Sequence, residues 1–245
     1  RGLGDVYKRQ GPYGWDIGSN LAELLSRVSE IPGDFRIRIG MASPDTIVKV
    51  IDDVLDIIAS DERFYRYLHI PVQSGSDRIL KLMRRKYNAD LFRELVRLIR
   101  SKLGEDATIA TDIISSFPTE TEEDHEETIK LLSDTQPDIV NLSRYGDRPG
   151  VPASKIYPKV HSKVSKRRTR ELAELIREIS YGRNKRYLGR KLEVLFLEIK
   201  NSALLGRTHN YRLVAVKNND LNPGFVSPVK ITDITWKTLY GEIVV

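Results

Sequence analysis

The sequence predicts an α/β protein, built as a partial barrel of parallel βα units followed by a small all-β barrel of the oligonucleotide-binding kind. Two observations support this fold class. Over the first 150 residues, short apolar runs alternate with stretches whose apolar residues recur every three or four positions. After residue 190, that helical spacing gives way to short alternating strands separated by turn residues.

The first part contains βα units. Four runs have strand character: Phe35–Met41, Tyr67–Val72, Thr108–Ser115 and Asp138–Leu142. Helix start signals lie between them, with Pro44 after a serine in one case and a run of acids within 119–124 in another. Parallel strands joined by helices form a doubly wound sheet or a barrel, and the pattern alone leaves both open.

The second part begins with a basic helix over Ser165–Arg186. Strands are then predicted at Lys191–Ile199, Tyr211–Val216, Val229–Thr235 and Leu239–Val244. We expect a five-stranded barrel that folds on its own, with Trp236 as a core filler. The predicted division is a leader over 1–10, a partial barrel over 11–160, a basic linker helix over 161–188 and the small barrel over 189–245.

The leader is predicted because the opening string RGLGDVYKRQ shows neither strand alternation nor a helical stripe, and resembles a translated adapter. The first methionine is Met41. We therefore expect residues 1–10 to be non-native and the chain to be an N-terminally truncated fragment.

Composition excludes several classes of protein. The chain has 245 residues and no cysteine, so it has no disulfide framework, no thiolate zinc site and no iron–sulfur cluster held by its own sulfur. Its four histidines are widely scattered, which argues against a histidine zinc site. No apolar run approaches the roughly 20 residues that cross a bilayer, and we expect a cytoplasmic protein with no membrane partner.

Charge is unevenly distributed along the chain. From residue 151 onward there are 19 Lys and Arg against 8 Asp and Glu, whereas the first 150 residues hold 21 basic and 26 acidic side chains. An acidic front joined to a basic back suggests a catalytic body with a polyanion-binding appendage. A merely solvated basic surface is an equally open interpretation.

Polar residues follow the ends of two predicted strands. Gln73 and Ser74 come directly after Val72, at the edge where parallel βα folds bind ligands, although a simple helix-capping loop would look the same. Asp112 is a charged residue inside an apolar strand, a costly placement unless it is paired or functional. Further on, Arg148 precedes Pro-Gly and would suit either a phosphate clamp or a rigid surface turn.

Taken in order, these segments resemble the radical S-adenosylmethionine methylthiotransferase family, and most closely the subgroup acting on N6-threonylcarbamoyladenosine in tRNA. The C-terminal segments resemble that family's RNA-binding TRAM domain. The matching segments are Tyr13-Gly14-x-Asp16, RIRIGMASP at 36–44, YLHIPVQSGS at 67–76, LKLMRRKY at 80–87, TDIISSFPTETEED at 111–124, SRYGDRPGVPA at 143–153, GRKLEVLFLE at 189–198 and GRTHNY at 206–211.

The resemblance implies a six-stranded partial barrel of which this chain holds the last four strands, and a cofactor, S-adenosylmethionine. It also implies [4Fe-4S] clusters in the full-length enzyme, bound by cysteines that this chain lacks. The intact enzyme uses a 5′-deoxyadenosyl radical to insert a methylthio group at C2 of the purine. No catalytic side chain is assigned in this fragment. The residues expected to bind S-adenosylmethionine are Arg38, Gln73, Ser74, Asp112 and Ser116.

Three positions depart from the family pattern. Ser116 and Thr119 stand where the family usually has glycine, and Val151 stands where it usually has threonine. Glycine permits a close backbone approach to a ligand, so the first change bears on the cofactor site.

The implied partner is the anticodon stem-loop of tRNA, read by charge and stacking. The residues expected to contact RNA are Arg148, Lys166, Arg167, Arg168, Arg207, Tyr211, Arg212 and Lys230. Two alternatives stay open from the sequence: a methylthiotransferase acting on a ribosomal-protein aspartate, and a non-enzymatic RNA-binding protein.

Overall fold

The computed structural model describes residues 10–148, 150–217 and 221–244. The helices are α1 (Leu21–Ser29), α2 (Pro44–Ile47), α3 (Ile51–Ser60), α4 (Asp77–Leu82), α5 (Ala89–Leu103), α6 (Glu122–Thr135) and α7 (Ser162–Lys185). The strands are β1 (Tyr67–His69), β2 (Thr108–Ser115), β3 (Ile139–Arg144), β4 (Lys191–Lys200), β5 (Ala203–Thr208), β6 (Leu213–Lys217), β7 (Val226–Ile234) and β8 (Leu239–Ile243). Within the described ranges, no helix is both long and apolar enough to cross a membrane.

The first part is a parallel sheet in the order β1-β2-β3 with helices packed on one face. Ile109 and Ile113 of β2 belong to the core that α3, α5, α6 and α7 share. Side chains alternate along a strand, so Asp112 projects from the opposite face of the sheet. The sequence pattern of the central strand thus separates a helix-covered face from an open face.

The predicted strand Phe35–Met41 does not form a regular ladder. It runs parallel to the sheet but joins it at two isolated bridges, Ile37 to Phe64 and Met41 to His69. The two residues paired at the second bridge are one position further apart in the sequence than those at the first, so the register shifts as it does at a β-bulge. In addition, the amide of Tyr67 donates to the carbonyl of Tyr65 (2.7 Å) and is lost to cross-strand pairing.

The expected leader over 1–10 lies outside the described residues up to position 9. Gln10, however, is bound to the segment just described. Its backbone amide donates to the carbonyl of Met41 (3.1 Å), and its side-chain Oε1 accepts from the amide of Gly40 (2.6 Å). Gln10 is therefore hydrogen-bonded to the segment that contains Gly40 and Met41.

The strand predicted at Tyr67–Val72 is regular only to His69. Pro71 has no amide hydrogen to offer the ladder. The chain nevertheless stays beside β2, because Val72 donates to Thr111 Oγ1 (3.0 Å) and Gln73 forms an isolated bridge with Ile113. This irregular stretch carries Gln73 to the open side of the sheet.

The second part is a closed five-stranded barrel in the order β4-β5-β6-β8-β7, which confirms the predicted small β-barrel. Strand β5 was not among the predicted strands. Asn201 and Ser202 both have positive φ (49° and 58°) and connect it to β4 in a tight hairpin that lacks the usual glycine signal. Trp236 is not a core filler: it is half-buried, with the Lys237 ammonium 4.2 Å from its ring centroid.

The barrel is docked on the sheet through a buried carboxylate. Asp138 Oδ2 accepts from the amide of Ile109 (3.0 Å), and its Oδ1 accepts from Arg183 Nε (3.0 Å) and Arg186 Nη2 (3.3 Å) of the α7 region. Arg212, at the start of β6, places Nη1 3.8 Å from the same oxygen. One carboxylate thus connects sheet, helix and barrel.

Neutral hydrogen bonds complete this junction. Asn184 donates to the carbonyl of Thr235 (2.7 Å) in the β7–β8 turn. Asn210 donates to the hydroxyl of Tyr187 (2.6 Å) and to the carbonyl of Asp106 (2.6 Å). The barrel has its own apolar core, so its folding in isolation stays a prediction.

Replacing Asp138 by Ala should lower the free energy of unfolding of the chain by about 3–5 kcal/mol, because buried guanidinium groups would lose their counter-charge. The matched control is Asp134→Ala, since that carboxylate is exposed and 3.4 Å from Arg93, and should cost less than about 1 kcal/mol. Urea unfolding of both variants measures the difference. Equal losses would contradict the assigned role of Asp138.

Candidate functional site

A cavity of about 1180 Å³ opens on the open face of the sheet, with apolar side chains of α1 forming one wall. Its polar wall contains Arg38, Gln73, Arg85 and Asp112. Three of the residues predicted from strand ends, Arg38, Gln73 and Asp112, therefore line one concavity, where βα folds place their ligands.

Asp112 is held as an anion. Its Oδ1 accepts hydrogen bonds from His69 Nε2 (2.9 Å) and Asn141 Nδ2 (2.8 Å). Burial raises the pKa of Asp112, but these two hydrogen bonds outweigh burial and leave the pKa below its ordinary value. His69 thus acts as a hydrogen-bonding residue beside the sheet.

Gln73 sits in a strained backbone conformation beside Asp112. Its φ is 76°, in the left-handed region that costs a non-glycine residue about 1–3 kcal/mol. The strain is held by two backbone bonds to β2: the Gln73 amide donates to the carbonyl of Asp112 (2.8 Å), and its carbonyl accepts from Ile114 (2.9 Å). Among the described residues the Gln73 side chain has no hydrogen-bond partner, so its amide is available to a ligand.

Two cations complete the wall. The Arg38 guanidinium lies over the rings of both Tyr67 and Tyr211, at 5.4 and 5.3 Å from their centroids, and so links the cavity to the barrel. Arg85 was not predicted as a site residue, although it lies in the segment 80–87 that carries the family resemblance. Arg85 lines the cavity, and its Nε is buried without a hydrogen-bond partner in the described chain.

Ser74 and Ser116 do not line this cavity, which corrects the expectation that both contact the cofactor. Ser74 is buried, and its Oγ accepts from the amide of Ser76 (3.2 Å). Ser116 is also buried, with its Oγ 3.2 Å from that of Ser115. Both hydroxyls are therefore used within the turns that follow the strands.

The turn after β2 explains the family's glycines. Ser116 and Thr119, the two positions where glycine is usual, have φ of 60° and 69°. Glu120 fixes the turn by accepting from the amides of Ser116 (2.9 Å) and Phe117 (3.3 Å), and Arg168 donates to Glu120 Oε1 (3.2 Å). Burial raises the pKa of Glu120 despite these contacts.

Two of the predicted RNA contacts are wrong because the side chains are interior. Arg168 and Arg212 are each only 4% exposed. Arg168 pairs with Glu120 and with Glu122 (3.0 Å), and Arg212 lies beside Asp138. These cations neutralise carboxylates inside the protein and cannot meet RNA.

Two further candidates are engaged within the protein. Arg167 is 2.7 Å from Glu122 and 2.9 Å from Glu171. Tyr211 packs its ring against Tyr65 at a centroid distance of 4.8 Å, and also against Tyr67. Tyr211 is therefore part of the junction between the two domains rather than a free stacking platform.

The remaining candidates are accessible. Arg148, Lys166 and Lys230 are exposed, and the described chain offers none of them an ion pair. Arg207 is half-buried, with its guanidinium 4.5 Å from the ring centroid of Tyr211.

A second cavity of about 500 Å³ lies at the carboxyl ends of β2 and β3. It shares Gln73 and Asp112 with the first cavity. The rest of its lining comes from Ile113, Ile114, Asn141, Ser143, Arg144, Tyr145, Gly146, Arg148 and Val151. Gln73 and Asp112 thus belong to the walls of both cavities.

Each of the two parts of the chain matches a known domain family. Residues 12–132 match the model of the radical SAM superfamily, and residues 185–244 match that of the TRAM domain. Among solved structures, the chain is similar to coproporphyrinogen III oxidase from Escherichia coli, with a TM-score of 0.51 and 20% identity over 66% of this chain and 38% of that one. At this identity the likeness shows the fold alone.

Curated relatives narrow the family. The chain is 41% identical to a probable threonylcarbamoyladenosine tRNA methylthiotransferase of Archaeoglobus fulgidus, over 95% of this chain and 54% of the relative. It is 37% identical to the threonylcarbamoyladenosine tRNA methylthiotransferase of Drosophila pseudoobscura pseudoobscura, over 95% and 42% respectively. A tRNA-2-methylthio-N(6)-dimethylallyladenosine synthase of Thermotoga petrophila is 38% identical, over 95% and 52%. These matches confirm the resemblance to radical S-adenosylmethionine methylthiotransferases, and the chain spans about half the length of the curated relatives it matches.

The superfamily implies S-adenosylmethionine and a [4Fe-4S] cluster. The first cavity fits S-adenosylmethionine, which carries both a carboxylate and cationic groups, because its lining holds Arg38 and Arg85 together with Asp16 and Asp112. The residues present do not fit the cluster. The chain has no cysteine, and its described residues contain no group of three or more side chains able to hold a metal ion.

Replacing Ser116 by Gly should raise the free energy of unfolding by about 0.5–1 kcal/mol, because the left-handed conformation costs an L-residue about 1–2 kcal/mol and glycine's extra chain entropy offsets only part of it. Ser115→Gly is the matched control: Ser115 lies in β2, where glycine should cost about 0.5–1 kcal/mol. Thermal or urea unfolding compares them. Destabilisation by both variants would show that the turn is not strained at Ser116.

Proposed function

We propose that this chain is the cofactor-binding and RNA-binding portion of a tRNA methylthiotransferase that modifies C2 of N6-threonylcarbamoyladenosine near the anticodon. The proposal divides the chain into a partial barrel over 11–160, a linker helix over 161–188 and a TRAM domain over 189–245. The match boundaries at 12–132 and 185–244 support this division.

The observation that carries the proposal is the first cavity. It gathers Arg38, Gln73, Arg85 and Asp112 on one wall within the part of the chain that matches the radical SAM model. Arg38 and Arg85 would hold the carboxylate of S-adenosylmethionine, since guanidinium groups pair well with carboxylates. Asp112 would accept hydrogen bonds from the ammonium or ribose hydroxyl groups of S-adenosylmethionine, and the free side-chain amide of Gln73 would orient the cofactor.

S-adenosylmethionine, when bound, would supply the 5′-deoxyadenosyl group for radical chemistry at C2 of the purine, with the electron coming from a [4Fe-4S] cluster for which this chain has no cysteine. The chain's own residues would position the cofactor and keep water out of the cavity. The apolar residues of α1 exclude water from one side of the cavity, which strengthens the polar contacts on the other. His69 and Asn141 hold the Asp112 carboxylate in place and ionised.

The barrel offers a surface for the RNA backbone. Lys191 and Lys230 lie directly opposite one another on β4 and β7, and both are exposed. Like charges at facing positions are mutually destabilising, and a bound phosphate would relieve that repulsion. Glu242, opposite Lys230 on β8, offsets only one of the two charges. Lys166 on α7 and the half-exposed Arg207 would extend the contact.

Binding of the full chain to a tRNA anticodon stem-loop should weaken with salt, since each phosphate contact to a single-stranded loop contributes about −0.7 to the slope of log K against log [salt]. The Lys191→Ala, Lys230→Ala double variant should flatten that slope by about 1.4. Filter binding at several salt concentrations measures it.

The matched control removes two exposed lysines from helices of the first domain, Lys81 on α4 and Lys130 on α6. It changes the net charge equally but should leave the slope unchanged. A wild-type slope near zero would contradict RNA binding and favour a protein substrate, such as a ribosomal-protein aspartate.

A further inference from the structure

We propose that the second cavity binds the N6 substituent of the target adenosine, and that Arg144 and Arg148 recognise its carboxylate. This inference rests on the proposed function and adds to it the feature by which the chain selects N6-threonylcarbamoyladenosine over other modified adenosines.

The position of the second cavity supports this assignment. It adjoins the cofactor cavity, because Gln73 and Asp112 line both. A base whose N6 substituent occupies the second cavity would therefore lie next to the cofactor. Its volume of about 500 Å³ lies within the range of about 300–1,000 Å³ that small-molecule sites occupy.

The charges of the two cavities differ. The wall of the first balances Arg38 and Arg85 against Asp16 and Asp112. The wall of the second has Arg144 and Arg148 against Asp112 alone. The Asp112 carboxylate already accepts from His69 and Asn141. Both arginines are exposed and neither has a side-chain hydrogen bond or ion pair within the described residues. An anion is therefore favoured in the second cavity.

The two candidate substituents also differ in charge. A threonylcarbamoyl group ends in a carboxylate and a hydroxyl, whereas a dimethylallyl group is a hydrocarbon. Guanidinium groups bind carboxylates through paired, charge-assisted hydrogen bonds, and Asn141 and Ser143 in the same lining suit the hydroxyl and the urea carbonyl. Burying a hydrocarbon against two unpaired guanidinium groups would instead leave them desolvated. Relatives named for the threonylcarbamoyl and the dimethylallyl substrate are 41% and 38% identical to this chain. Overall identity therefore separates the two substrates poorly, and the charge of the second cavity is the feature that favours the threonylcarbamoyl group.

The test uses the full chain and three synthetic anticodon stem-loops that differ only in the target base: N6-threonylcarbamoyladenosine, N6-dimethylallyladenosine or adenosine. The wild-type chain should bind the first about 10-fold or more tightly than the other two, because charge-assisted hydrogen bonds to its carboxylate are stronger than neutral ones. Arg144→Gln and Arg148→Gln should each reduce this preference, and the double variant should abolish it. Arg97→Gln, at an exposed position of α5, is the matched control and should keep the preference.

The outcomes separate the possibilities. Loss of affinity confined to the threonylcarbamoyl stem-loop supports the inference. Equal loss for all three RNAs would mean that the arginines contact backbone phosphates, and would overturn it. A wild-type chain that binds all three RNAs equally would also overturn it while leaving the proposed function standing. Failure to bind any of them would overturn the proposed function, and this inference with it.

Discussion

The buried carboxylate of Asp138 sets the arrangement of the molecule, because an uncompensated interior charge would be too costly to keep. Its side chain has no exposed surface and meets guanidinium groups from the α7 region and from the barrel. The residue just before β3 is therefore tied to both the helix and the barrel. A backbone hydrogen bond from Arg66 to the carbonyl of His209 (3.1 Å) follows from the same docking.

Docking has a consequence at the cofactor cavity. It brings Tyr211 of the barrel against Tyr65 and Tyr67 of the first domain, and Arg38 lies over two of these three rings. An arginine on two aromatic faces is held by cation–π attraction and loses few conformations on binding a ligand. The cavity wall is thus partly ordered by the domain expected to carry RNA, which gives a physical route by which the two binding events are coupled.

Several features were predictable from the sequence because they depend on local pattern. The period of apolar residues gave the βα units, and Asp112 was recognisable as a charge inside an apolar strand. The missed features depend on partners distant in the chain. Arg212 is a basic residue of the predicted strand Tyr211–Val216 and was expected to contact RNA, and only the fold reveals that it lies beside Asp138. Strand β5 was missed because its hairpin uses Asn201-Ser202 without glycine. The irregular segment at Phe35–Met41 has a strand-like composition, and its register slip depends on the neighbouring backbone.

The strained residues Gln73 and Ser116, and the wall that the two cavities share, all lie where the chain turns after β1 and β2. To place Gln73 and Asp112 side by side between two cavities, the chain after β1 must turn sharply, which puts Gln73 at a φ of 76°. The turn after β2 bends in the same left-handed sense at Ser116, and Glu120 with Arg168 holds it there. Such strain persists only where surrounding contacts over-determine the backbone. Here those contacts fix a wall with balanced charge on one side and an excess of positive charge on the other. That asymmetry supports the proposed assignment of a zwitterionic, sulfonium-bearing cofactor to the first cavity and of an anionic group to the second.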